Sequence, residues 1–339
     1  MSAIAGSSNQ QEFALLRDQL GKSAAKAMYE MVSMSEEAKQ SKSLDRGIWY
    51  PHEYAYALRD SGQQQRIAQF YRLNAFAWGY ANQDYFSAPL NGRAWALVGR
   101  SDKLPAETVK AAMKGLSIIE CGSACVIAQY KALLDVIGEE KFNKIFAESP
   151  INLRYDGQDA KGDVQPMQYF VDFTDVAKAA ARGAKAAIGE LSKRPVKVGQ
   201  TVLILGVKDY QKKHFGGMDA SYNLICSDET PGKQRFLGHG LPKEGATEEE
   251  VGILLAKGYN AEPDHVTRNR PEEHHLLPAE IKSRGCDSFK NHKVKPKNAS
   301  VVGYNAASPQ DFKLKVIDAI VKAPLAEVSL TFVKLQSKS

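Results

Sequence analysis

The chain has 339 residues, 43% of them hydrophobic and 25% charged, with a net charge of +6. This is ordinary globular composition, long enough to bury one large core or two, and so modest a positive charge does not demand a nucleic-acid partner. No run of about 18 apolar residues occurs, which excludes a membrane-spanning helix, and four cysteines are too few for a disulfide framework, which leaves free thiols in a reducing compartment.

The opening residues, MSAIAGSSNQQEFALLRDQLGKS, lack the basic-then-apolar order of a secretory signal. The expectation is a soluble chain that is cytoplasmic or exported without a signal peptide. Residues 1–85 read as helical, first in EFALLRDQLGKSAAKAMYEMVSM and again in the more aromatic RIAQFYRLNAFAWGYAN. Its aromatic residues Phe70, Tyr71, Phe76, Trp78 and Tyr80, with Tyr85 just beyond, read as helix core. The GKS at Gly21 is not a phosphate loop, because Leu16 stands where the earlier glycine is required. A short strand is expected over 92–99, then a helix in LPAETVKAAMKGL with Pro105 near its first turn.

Cys121 to Ile137 is the best-defined helix. Almost every position is apolar, so it is expected to be buried on most sides. Lys131 and Asp135 form an i,i+4 pair on it, Gly138 ends it, and EEKFNKIF begins another helix. Residues 174–191 are an alanine-rich helix, expected on the surface, and 201–207 an apolar strand. SYNLICSD and QRFLGHGL read as a hairpin joined through ETPG. TEEEVGILLAKGYN is a helix opened by Thr247 and Glu250 in capping-box spacing. A charged, loop-rich segment follows from about 258 to 299, and the end reads as a helix (SPQDFKLKVIDAIVKAP) and then a strand (AEVSLTFVKL). The basic stretch at 282–297 is read as solvated loop, since only Phe289 is available to stack on a base.

A cysteine at a helix start meets unpaired N–H groups and the positive end of the helix dipole, and both favour the thiolate. Cys121 has that placement, after an extended IIE and before CGSACVIA, with Gly122, Ser123 and Ala124 leaving room for a substrate. Composition alone leaves it open between nucleophile and packed side chain. Cys125 and Cys226 read as core. The two cysteines of CGSAC have no second pair after them, and His274 and His275 lie far away, so no metal site is expected. His239, between two glycines at a strand end, is a candidate general base presented with little crowding.

IECGSACVIAQYKALLDVIGEEKFNKIF closely resembles the active-site segment of the small bacterial spore-coat protein-glutamine gamma-glutamyltransferases, in which a Glu-Cys pair opens an apolar helix. RAWALVGRSDKLPAETVKAAMKGL, VGQTVLILGV and YNLICSDETPGKQRFLGHGL sit where that family has its other core segments, so the likeness covers roughly 90–240. The resemblance implies an α+β fold with a papain-like, NlpC/P60-like core, in which a buried helix beginning at its cysteine packs on an antiparallel sheet. It divides the chain into a helical N-terminal region (1–87), a catalytic core (88–242) and a C-terminal extension (243–339).

The resemblance also implies cofactor-free, calcium-independent transfer of a glutamine acyl group to lysine or a small amine. Cys121 matches the nucleophile, Glu120 the adjacent carboxylate and His239 the hairpin histidine. Where the family carries a second glutamate, just before the asparagine matching Asn223, this chain has Tyr222. Glu120 or Asp219 would then supply the acid-base work, with Tyr222 and Asn223 lining the substrate site. Implied partners are a protein with an exposed glutamine and an amine donor. The rival readings are a glutamine deamidase, an NlpC/P60-type amidase or peptidase, and an inactive structural protein on the same core. The segments outside 90–240 suggest target recognition or delivery, as in a bacterial effector or toxin.

Overall fold

The structure is a computed structural model, and it describes residues 3–63, 65, 81–82, 84–87, 97–153, 166–172, 196–207, 210–214, 221–231, 233–262, 285–295, 305–306 and 311–338. The aromatic run at 66–80, the alanine-rich helix at 174–191, Asp219, and the histidine pair at 274–275 lie outside these residues. So does the expected strand at 92–99, except for its last three positions.

Helix α1 spans Ala3–Gln40. Its buried residues Leu16, Leu20, Ala24, Ala27, Met28, Met31 and Val32 recur at intervals of three and four, which makes one continuous apolar stripe. The region then departs from the expected run of helix, because a strand, β1 (Gly47–Trp49), intervenes before α2 (Pro51–Asp60). Pro51 explains the break: the residue before a proline is driven to extended backbone, and proline suits a first helical position. The next elements are β2 (Phe86–Ser87), β3 (Val98–Gly99), α3 (Pro105–Lys114), β4 (Leu116–Ile118), α4 (Cys121–Ile137) and α5 (Glu139–Phe146). Gly138 separates the last two at φ 82°, a conformation that costs glycine little and other residues more.

Strand β5 (Val171–Asp172) precedes β6 (Thr201–Leu205), the short helix α6 (Tyr210–Lys213), β7 (Ser221–Asp228) and β8 (Arg235–Leu237). Helix α7 (Glu248–Asn260) carries the expected capping box between Thr247 and Glu250. Strands β9 (Asn305–Ala306) and β10 (Asp311–Phe312) lead to α8 (Leu314–Lys322) and α9 (Leu330–Gln336). The terminal segment is therefore helical and not the expected strand: Ser329 caps α9 by accepting from the Phe332 N–H at 3.1 Å, and Leu330 and Val333, one turn apart, are the buried positions.

Four strands form one antiparallel sheet in the order β8-β7-β6-β9. Strand periodicity sends alternate residues of β7 to opposite faces. Ile225 joins the main core with α4, whereas Tyr222, Leu224 and Cys226 join a second cluster with Val251 and Leu255 of α7. The sheet is thus packed between α4 and α7. All but three residues of α4 are buried; α1, α3, α5, α8 and β7 surround it. Gln129, a polar residue inside this apolar helix, donates from Nε2 to the Thr201 hydroxyl of β6 at 3.0 Å, which avoids the cost of a buried polar group without a bond. The exposed Lys131–Asp135 pair forms as expected. Among the described residues no helix is long and apolar enough to cross a membrane.

The Gly21 that mimics a phosphate loop lies in the middle of α1. A Cβ there would stand 2.3 Å from the Val198 carbonyl oxygen, and one on Gly199, at φ 82°, would stand 2.1 Å from the Gly21 Cα. The two glycines let helix and loop touch backbone to backbone.

Candidate active site

A parallel strand pair sets up the site. β1 pairs with β4 in the register Trp49↔Ile118, and the Ile119 N–H continues it by donating to the Trp49 carbonyl at 3.0 Å. The residues that leave this pair, Tyr50 on one strand and Glu120–Cys121 on the other, are consequently neighbours. Glu120 has extended backbone (φ −83°, ψ 165°) and occupies the cap position of α4 without a side-chain capping bond. Cys121 is the first helical residue, as the sequence predicts.

The Cys121 sulfur accepts two hydrogen bonds, both from Asn223. The Asn223 backbone N–H donates at 3.4 Å and its side-chain Nδ2 at 3.3 Å. The Tyr50 hydroxyl neighbours the sulfur and also favours its charged form. Hydrogen-bond donors around a sulfur favour a thiolate. Burial opposes them: Cys121 is 7% exposed, and desolvation, then the charge of Glu120, push its thiol up from the usual value against the pull of Asn223 and Tyr50. This corrects the expectation of a simply lowered thiol, because the helix start here is covered and not open to water. Burial foremost, then the neighbouring Cys121, holds Tyr50 well above the usual phenol range, so its hydroxyl remains a donor.

His239 follows β8 but is not presented openly. It is 3% exposed. Its ring lies against that of Tyr50, centroids 3.8 Å apart at 40°. The Tyr50 hydroxyl is also 3.4 Å from the His239 carbonyl oxygen. On the far side, His239 Nε2 is 3.1 Å from the Ile48 carbonyl oxygen. A carbonyl only accepts, so Nε2 carries the proton and a neutral ring keeps its lone pair on Nδ1. Glu53 Oε2 stands 3.9 Å from the same Nε2.

Tyr222 is 7% exposed and belongs to the sheet face opposite α4, not to the packing of the Cys121 helix. Its ring still reaches the edge of the site, since a Cβ on Gly240 would touch both Tyr222 and Tyr50 at 3.4 Å. Cys121, Asn223 and His239 therefore gather around Tyr50, Glu120 adjoins the sulfur, and Tyr222 borders the group. Cys125 and Cys226 are buried with 2% and 0% exposure, as read from the sequence. Nothing in the sequence singles out Tyr50 or Glu53. The signal available was Tyr-Pro, which marks a strand-to-helix junction, but what lies across from such a junction is decided by strand pairing.

No family model matches the chain, and no curated protein matches its sequence. Among solved structures, a transglutaminase from Geobacillus stearothermophilus, without its C-terminal extension, aligns at a TM-score of 0.47 and 11% identity, over 92% of this chain and 98% of that one.

Proposed function

We propose that the protein is a cysteine-dependent acyltransferase with a papain-like core, acting on the carboxamide of protein glutamine as the sequence resemblance implies. The observation that carries the reading is the Cys121 sulfur at the first position of a buried helix, held by Asn223 and neighboured by Tyr50, with the His239 ring packed against that same tyrosine.

In this reading Cys121 attacks the carboxamide carbon and its proton passes to the departing nitrogen with His239 as carrier, so that a thioester forms and ammonia leaves. An amine then adds to the thioester carbonyl, the carbon–sulfur bond breaks, and the sulfur recovers a proton as an amide is made. N–H groups at the start of α4 stabilise the oxyanion in both steps. Glu120, at the cap position, is the carboxylate nearest the sulfur in sequence. With only 7% of Cys121 exposed, a slender side chain reaches it more readily than a folded segment; glutamine has that shape.

The test is incubation with casein and a fluorescent primary amine. Wild-type protein is expected to label casein covalently, and Cys121→Ala to abolish labelling. Ammonia release without labelling would indicate hydrolysis, and cleaved peptidoglycan without either would indicate an amidase; each would overturn the transfer reading.

A further inference from the structure

The carboxylate that the resemblance places before Asn223 is replaced by Tyr222, on the sheet face away from Cys121. Another carboxylate does approach the histidine, and it comes from the N-terminal part of the chain. Glu53 lies in the first turn of α2, three residues after Tyr50. One of its oxygens, Oε2, is 3.9 Å from His239 Nε2, 3.1 Å from Lys39 Nζ and 3.4 Å from the Tyr50 backbone N–H.

We propose that Glu53 is a positioning residue of this site, holding His239 through Nε2 in the imidazolium form that stabilises the Cys121 thiolate. The proposal rests on the Cys121–His239 pair of the function proposed above. Three features of the arrangement support it. The Ile48 carbonyl accepts from Nε2 and orients the ring, while the Glu53 carboxylate, 3.9 Å from the same nitrogen, sets a negative charge beside it that favours the charged form. The carboxylate is itself fixed, by Lys39 from α1 and by the Tyr50 N–H. And Tyr50, Glu53 and Ile48 all belong to one segment, delivered to the site by the β1–β4 pairing. The N-terminal segment thus supplies part of the catalytic surroundings as well as packing.

Among the described residues, the charged and titratable groups around the Tyr50–His239 pair are Glu53 and Lys39, Tyr222 from β7, and Cys121 with Glu120 at the start of α4. Their signs make the proposal testable without a substrate. If Glu53 acts only as a nearby negative charge, removing it makes the thiolate easier to form. If it acts through an imidazolium, removing it makes the thiolate harder to form. Glu53 also stands in capping-box relation to the Tyr50 N–H, and a glutamine preserves that acceptor.

The experiment is peptide-resolved alkylation of Cys121 by iodoacetamide from pH 5 to 9, in the full-length protein, in Glu53→Gln and in His239→Asn with and without Glu53→Gln. Glu53→Gln is expected to slow alkylation about tenfold at pH 7 and to raise the pH midpoint by roughly one unit, with the melting temperature unchanged. In the His239→Asn background the same change is expected to have no slowing effect. An unchanged or faster rate in Glu53→Gln overturns the proposal, as does slowing that persists without the imidazole. Failure of the casein assay overturns the acyl-transfer reading but leaves these alkylation outcomes standing on their own.

Discussion

At Cys121 burial and hydrogen bonding pull in opposite directions. Desolvation and Glu120 favour the neutral thiol, and the Asn223 and Tyr50 groups favour the thiolate. A hydrogen bond to a charged group is worth about 1.5–3 kcal/mol, so each donor matters for the fraction ionised. Asn223→Ala removes the Nδ2 donor but leaves the backbone N–H, and is expected to slow Cys121 alkylation at pH 7 about tenfold or more. An unchanged rate would mean that the side-chain bond contributes nothing to the charged sulfur. Cys226 provides an internal contrast. It is fully buried and its thiol is pushed up to about 12, chiefly by that burial. Cys121 has one sequence neighbour, Glu120, that the sequence marks plainly. Its other contacts, Tyr50 and Asn223, lie 71 and 102 positions away, beyond the range of any local pattern.

At the scale of elements, α4 formed where its composition demanded, since an almost wholly apolar segment of 17 residues needs cover on every side. α9 is the opposite case. Val328, Leu330 and Phe332 alternate in the way of a strand, yet Ser329 accepts from the Phe332 N–H and the segment closes as a helix beside α8 and α5. Lys141 and Lys144 of α5 reinforce that packing by donating to the carbonyls of Ile320, Val321, Leu325 and Ala326. Ser329→Ala is expected to cost about 1 kcal/mol and to lower the melting temperature by roughly 2 °C in a thermal scan. No loss of stability would argue against a capped helix. Strand propensity gave way here because, among the described residues, no sheet edge pairs with the segment, whereas apolar helices pack on it.

Across the whole molecule, the largest buried cluster draws on α1 (Leu20, Met28), α4 (Ile127, Leu133), α5 (Phe142), α8 (Ile317) and α9 (Val333). Both ends of the chain share one core, and α1 also touches the loop before β6 through Gly21 and Gly199. Gly21→Ala tests that contact with a clear sign. Helix propensity alone predicts a gain of about 1 kcal/mol. The Val198 carbonyl, 2.3 Å from the added methyl group, must be pushed away, and overpacking of this kind costs roughly 1–3 kcal/mol. A lower melting temperature is expected in calorimetry; a higher one would mean that helix and loop do not meet.

The sequence by itself determined the helix that starts at Cys121, the strand-turn-strand of β7 and β8 that leads to His239, and the capping of α7. Each follows from apolar spacing or turn chemistry within a few residues, where steric and hydrogen-bonding rules act directly. The tertiary structure alone decided that the sulfur is covered, that Tyr50 bridges it to the imidazole, and that a carboxylate from α2 approaches Nε2. Those arrangements depend on a parallel pairing of two three-residue strands, whose Trp49 and Ile118 are buried with Leu44, Tyr54 and Leu58 while Ile48 joins the core around α4: contacts between segments far apart in sequence, which no local rule fixes.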